Sequence, residues 1–157
     1  MTMTRKRGAE TVLIIEDDNA VQKFISCVLE LEGYRAIKAS SGEKGMDIIR
    51  KMPPSMVLLD LRLSGRDGWS VLREIKNDPK LAPIPVVVLT GVVEATQREK
   101  TLRMGAAQYL TKPLSANSVA ASVSLALHHR ARYPASHSLP HPLAHHKALT
   151  HSAPQAL

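Results

Sequence analysis

Between residues 11 and 128, short runs of apolar, β-favouring residues alternate five times with segments whose apolar positions recur at helical spacing. The runs fall at residues 11–16, 34–39, 55–59, 84–90 and 107–111. The first, third and fourth are nearly unbroken Val, Ile and Leu, the pattern of strands covered on both faces, so they belong at the sheet centre. Strands and helices in strict alternation predict a parallel sheet with helices on both sides.

Capping residues set the helix starts. Asp18 or Asn19 precedes a helix over 21–32, Ser41 one over 43–52, Asp67 one over 69–77, and Ser115 or Asn117 one over 119–130. Gly33, Pro53 and Pro79 stop the first three. Val21, Phe24, Ile25 and Val28 share one helical face, and Val71, Leu72 and Ile75 share another, so all are assigned to the core. A further helix, about 94–104, is polar throughout, with Gln97, Arg98, Glu99, Lys100 and Arg103, and is expected to pack lightly and to move. Trp69, the only tryptophan, is expected to be partly buried. Gly68 reads as a turn glycine.

The chain of 157 residues suffices for one compact domain, over 10–130, with a flexible segment at 1–9 and a tail from 131. That tail holds four prolines and five of the seven histidines and reads as disordered. His137, His141 and His145 would align on a helix as metal ligands, but Pro140 and Pro142 forbid the helix, leaving casual metal binding. No apolar stretch approaches the roughly 20 residues of a membrane span, and none resembles a signal peptide. The one cysteine, Cys27, cannot form an internal disulfide and is expected to be a buried thiol on the apolar side of its helix.

A net charge of +7 raises the question of nucleic acid, and its distribution answers it. Residues 11–127 hold 15 Lys or Arg against 13 Asp or Glu, so most of the excess lies in the two ends, and no specific nucleic-acid binding is expected.

Sites on open parallel sheets form beyond the carboxyl ends of the strands. The polar residues there are Glu16 and Asp17 after the first strand, Asp60 after the third, Thr90 after the fourth and Lys112 after the fifth. Asp18 serves as a helix cap. Three converging carboxylates repel one another unless a cation neutralises them, and Mg²⁺ suits an all-oxygen site completed by water and phosphate. Lys112 adds a fixed positive charge, Thr90 a hydroxyl, and Gly91 room for close approach. Such a set can stabilise a carboxylate that takes up a phosphoryl group.

The segments Ile14-Ile15-Glu16-Asp17-Asp18, Leu58-Leu59-Asp60 through Gly68, Val87-Val88-Leu89-Thr90-Gly91 and Tyr109-Leu110-Thr111-Lys112-Pro113 together resemble the receiver domain of bacterial two-component response regulators. The resemblance spans residues 10–128. It implies a flavodoxin-like, doubly wound α/β fold, five parallel strands in the order 2-1-3-4-5 with five helices. It further implies Asp60 as phosphoacceptor and Mg²⁺ held by Asp17, Asp60 and the Arg62 carbonyl, with Glu16 holding a metal-bound water. Lys112 would bridge carboxylate and phosphoryl oxygens ahead of a cis peptide at Pro113, and Thr90 with Tyr109 would form the switching pair. The side chains of Arg62 and Val92 fall where the family tunes dephosphorylation. Ser64 stands where many members have proline, which predicts a looser loop after Asp60.

The implied function is a phosphorylation-dependent signalling switch in the cytoplasm, not an enzyme beyond assisting its own phosphotransfer and dephosphorylation. Its phosphodonor would be a sensor histidine kinase or histidine phosphotransfer protein. Its output would pass through the face of the fourth helix, fifth strand and fifth helix, in a monomer or weak dimer without membrane contact. No winged helix, helix-turn-helix or enzymatic module is read after residue 130, and Met1 suggests a complete start, so the expectation is a stand-alone receiver. A phosphorelay intermediate and a receiver that binds partners without phosphorylation are the alternatives within the family. A haloacid-dehalogenase-type phosphatase is the rival outside it; that family has its nucleophile on the first strand and a second Asp two residues on, where this chain has Arg62.

Overall fold

The computed structural model describes residues 9–92 and 94–132. The expectations for the first eight residues and for the histidine-rich stretch from 133 onward lie outside the described residues. Five strands and five helices alternate: β1 (Thr11–Ile15), α1 (Asn19–Leu31), β2 (Arg35–Ala39), α2 (Gly42–Lys51), β3 (Met56–Asp60), α3 (Gly68–Asn77), β4 (Val86–Thr90), α4 (Ala95–Arg103), β5 (Gln108–Thr111) and α5 (Ala116–Arg132). All pairings are parallel and the sheet order is β2-β1-β3-β4-β5, the flavodoxin-like arrangement.

Side-chain alternation divides the apolar strands between two cores. Leu13, Ile15, Val57, Leu59, Val86 and Val88 face one side, where Met46 and Ile49 of α2 and Val71, Leu72 and Ile75 of α3 cover them. Val12, Ile14, Met56, Leu58, Val87 and Leu89 face the other, beneath Ile25, Val28 and Leu29 of α1 and Val119, Val123 and Leu127 of α5. Every residue of β3 and β4 is buried, whereas β2 and β5 at the edges are largely half-buried or exposed.

Caps fix where the helices begin. Asp18 accepts from the amides of Ala20 and Val21, Ser41 from Lys44, and Asp67 from Ser70. Ser115 caps α5, accepting from the Ser118 amide at 3.1 Å, so Asp18 and Ser115 rather than Asn19 and Asn117 do this work. The helix α5 extends to Arg132, past the expected end at 130. At the close of α1, Gly33 has φ +86° and the Tyr34 amide reaches back to the Leu29 carbonyl, a left-handed stop that favours glycine.

Three expectations are corrected. The fourth strand starts at Val86 and not at 84, because Pro85 has no amide to donate and the Ile84 amide is spent on a turn to the Leu81 carbonyl. Phe24 is 39 % exposed and not core: the buried face of α1 centres on Ile25, Val28 and Leu29, and Phe24 stands at its margin. Cys27 is exposed, since two residues beyond Ile25 is about 200° round the helix. Trp69 is half-buried as expected. Among the described residues, no helix is long and apolar enough to cross a membrane.

Candidate functional site

Parallel strands bring their carboxyl ends to one edge, and the central position of β1, β3 and β4 puts Glu16, Asp17, Asp60 and Thr90 there side by side. Asp60 is the last residue of β3 and Thr90 the last of β4, while Glu16 and Asp17 follow β1 directly and Lys112 follows β5. One carboxylate oxygen each from Glu16, Asp17 and Asp60 lies within 4.8 Å of the others. Glu16, Asp60 and Thr90 are buried at 1 %, 3 % and 0 % exposure, and Asp17 is half-buried at the mouth.

Lys112 answers the negative charge. Its ammonium lies 2.7 Å from Glu16 Oε2 and 3.0 Å from Asp60 Oδ2. Burial acts to lower the Lys112 pKa, but hydrogen bonds to the two carboxylates outweigh it and hold the ammonium above its ordinary value. Glu16 goes the other way: burial raises its carboxyl to about 7, against hydrogen bonds from Lys112 and the Asp18 amide. The Lys112–Pro113 peptide is cis, as the resemblance implies.

The connection from β3 to α3 wraps the acidic mouth. The Arg62 amide donates to Asp60 Oδ1 at 2.9 Å, and the Gly68 amide returns to the Leu61 carbonyl at 3.0 Å. Ser64 donates to Asp17 Oδ2 through both its hydroxyl and, at 3.0 Å, its amide, a bond that proline cannot make. These bonds, the hydroxyl first, hold the Asp17 carboxyl below its ordinary pKa. Further along, Arg66 donates to Ser70 Oγ at 2.8 Å and pairs with Glu74, which also pairs with Arg50 of α2.

Thr90 and Tyr109 meet through one residue. The Val92 amide donates to Thr90 Oγ1 at 3.2 Å, and the Tyr109 hydroxyl donates to the Val92 carbonyl at 2.5 Å. Beside them a groove of about 470 Å³ is lined by Arg62, Trp69, Val92, Glu94, Gln97 and Lys100 among others. The Lys100 ammonium sits 4.4 Å above the Trp69 ring.

Glu16, Asp17, Asp60, Thr90 and Lys112 therefore fall at this one edge, with Arg62 in the loop after Asp60, while Tyr109 lies within β5 and reaches the β4–α4 connection through its hydroxyl. Three residues that shape it were not anticipated as such. Ser64 donates to Asp17 from its amide and its hydroxyl. Gln22 of α1 spans the Glu16 and Ala39 carbonyls at 3.1 and 3.2 Å. Gly68 is more than a turn residue: a Cβ there would lie 2.3 Å from the Asp60 carbonyl oxygen and 2.6 Å from Leu61 Cα. The Asp-Gly pair at a helix start was the only available signal for Gly68, Ser64 was marked only as a departure from the family's usual proline, and nothing in the local sequence marked Gln22.

The three carboxylates form an all-oxygen donor set compatible with a hard divalent cation such as Mg²⁺.

Known proteins resemble this chain in sequence and fold. The family model for the response regulator receiver domain matches residues 12–124. The DNA-binding dual master transcriptional regulator RpaA of a Synechocystis species is 35 % identical over 123 residues, covering 78 % of this chain and 51 % of that protein. PilH of Pseudomonas aeruginosa is 28 % identical, covering 74 % of this chain and 96 % of that protein. The chain spans about half the length of the transcriptional regulators it matches. The crystal structure of a response regulator receiver domain protein from Clostridium thermocellum superposes with a TM-score of 0.72 at 26 % identity, covering 78 % of this chain and 98 % of that one. The chain belongs to the response regulator receiver family, the phosphorylation-dependent switch of two-component signalling.

Proposed function

We propose that Asp60 is the phosphoacceptor of this receiver, taking its phosphoryl group from a phosphohistidine on a sensor kinase or histidine phosphotransfer protein. The observation that carries the reading is the setting of Asp60: a buried carboxylate, fixed by the Arg62 amide on one oxygen and the Lys112 ammonium on the other.

In the transfer, an Asp60 oxygen bonds to phosphorus as the nitrogen–phosphorus bond of the donor breaks, and the imidazole leaves. The products are an acyl phosphate and a neutral histidine once a proton reaches the leaving nitrogen. Asp17 and Asp60 would hold Mg²⁺, with the Arg62 carbonyl as a further ligand and Glu16 orienting a metal-bound water; the ion supplies positive charge against the phosphoryl oxygens. Lys112 holds the Asp60 carboxylate before transfer and offers its ammonium to a phosphoryl oxygen afterwards. Thr90, buried at the end of β4, supplies a hydroxyl donor. Catalysis here is positioning and charge, as phosphoryl transfer requires.

The altered charge is passed through Thr90 and Tyr109 to the surface formed by α4, β5 and α5, where a protein partner reads it. The test is incubation with a small-molecule phosphodonor and Mg²⁺, followed by intact mass. One phosphoryl group, labile at alkaline pH, is expected on the parent and none on Asp60→Ala. Equal labelling of Asp60→Ala overturns the assignment.

A further inference from the structure

The three carboxylates of the site are not held alike. Glu16 and Asp60 are buried and gripped by Lys112, but Asp17 stands half-exposed at the mouth, out of hydrogen-bonding contact with that ammonium. A short exposed carboxylate of that kind turns freely unless something holds it. What holds it is Ser64, 47 positions away in sequence, whose amide and hydroxyl both donate to Oδ2. Concentrating two donors on one oxygen fixes the plane of the carboxylate and leaves Oδ1 clear of Ser64.

The anchor is itself anchored. On one side of Ser64 the Arg62 amide is tied to Asp60 Oδ1. On the other, Gly65 turns the chain at φ +79° and Arg66 is tied to Ser70 and to Glu74, a residue shared with Arg50 of α2. The loop therefore carries its donors to a fixed place, and a side chain bonded to it inherits that fixity.

We propose that Ser64 is a positioning residue of the Mg²⁺ site, holding Asp17 in the orientation that meets the ion. The proposal rests on the reading of Asp17 as a Mg²⁺ ligand. Hydrogen bonds to a ligating carboxylate raise affinity by removing the need to order it on binding, and losing such a partner typically weakens metal binding about 10- to 100-fold.

The test is Mg²⁺ titration of the full chain, followed by Trp69 fluorescence and by calorimetry, on the parent and on Ser64→Ala, Ser64→Pro, Ser64→Thr and Asp17→Ala. Ser64→Ala loses the hydroxyl and keeps the amide, so affinity falls by about 10-fold, the low end of that range. Ser64→Pro loses both donors and falls further, while Ser64→Thr keeps both and binds as the parent does. Because Ser64 is exposed, the Mg²⁺-free stability of Ser64→Ala changes by no more than about 0.5 kcal/mol, which separates orientation of a ligand from general loosening. Should Ser64→Ala bind Mg²⁺ as tightly as the parent or more tightly while Asp17→Ala binds weakly, the role of Ser64 is overturned and Asp17 remains a ligand. Parental affinity in Asp17→Ala overturns the Asp17 reading and this proposal with it.

Discussion

The Lys112 ammonium stands 3.0 Å from Asp60 Oδ2, and it is the same ammonium that pairs with buried Glu16. Removing it leaves two nearly inaccessible carboxylates facing each other without compensation. Breaking one side of a buried ion pair costs about 3–5 kcal/mol, and the partial exposure of Lys112 reduces this to about 1–3 kcal/mol. We expect Lys112→Met to be destabilised by that amount at mildly alkaline pH in Mg²⁺-free buffer, where Glu16 is ionised, with a smaller loss below about 7, where Glu16 takes a proton. Urea denaturation at two pH values measures both. Phosphorylation of the variant is expected to slow.

Glu16 gives the Mg²⁺-free protein a pH dependence of its own. Burial raises its pKa from 4.5 to about 7, so between those values the folded state binds more protons than the unfolded state. Stability due to this group is therefore complete below about 4.5 and is lost as the pH rises through about 7. The depressed carboxyl of Asp17 acts in the opposite sense, but in acid, below this window. Melting temperature should fall from about pH 5 to about pH 8, and Glu16→Gln should remove most of the slope. An equal slope in Glu16→Gln would assign the dependence to another group.

These residues also show how far sequence reached. The alternation of strands and helices, the central place of the first, third and fourth strands, most helix starts and the strand-end residues were legible because each follows from a local rule: Val, Ile and Leu runs, capping residues, and polar residues ending apolar strands; the full strand order came only with the family resemblance. What was not legible depends on contacts between distant segments. Ser64 lies 47 positions from Asp17, so its absence as a proline suggested slack, whereas the freed amide makes a bond. Phe24 and Ile25 are neighbours with the same apolar signal; which one the sheet covers depends on how α1 is rotated against β1 and α5. Gly68 read as a turn, because only the folded chain brings the Asp60 carbonyl against its Cα.

That close approach makes Gly68 intolerant of any side chain. The obstacles to a Cβ are backbone atoms of Asp60 and Leu61, which cannot swing aside as a side-chain tip can. Gly68→Ala is expected to cost about 2–3 kcal/mol, at the upper end for overpacking, and to disturb the acceptor with it. Gly91 provides the contrast: a Cβ there meets nothing within 4 Å, so Gly91→Ala should fall within about 0.5 kcal/mol of the parent. Chemical denaturation of the two variants side by side tests the difference.

The helix α4 is the element most open to displacement by events at Asp60. Glu94, at its N-cap position, makes no side-chain cap, and Thr101 is its one buried residue. Laterally it is tied by Lys100 over Trp69, worth about 0.5–1 kcal/mol when exposed. Its leading end follows Val92, the residue that joins Thr90 Oγ1 to the Tyr109 hydroxyl. Tyr109 thus already engages the β4–α4 connection, and it is joined to Thr90 through the backbone of Val92. A phosphoryl group on Asp60 adds oxygens that need donors; as Thr90 turns its hydroxyl to them, the Val92 amide loses its acceptor and the Tyr109 carbonyl partner shifts. We expect a beryllium fluoride complex with Mg²⁺ to produce amide shifts by NMR at Val92, along α4 and around Tyr109. Thr90→Ala should still accept phosphate but show much weaker shifts in α4. Tyr109→Phe, which keeps the ring and loses the bond to Val92, should sever β5 from the response while leaving α4 responsive. Phosphorylation can shift partner affinity only by its differential stabilisation of the two states, about 5- to 150-fold for couplings of this kind. Shifts confined to the surroundings of Asp60, with none in α4 or at Tyr109, would sink this route of transmission and leave the phosphoacceptor assignment standing.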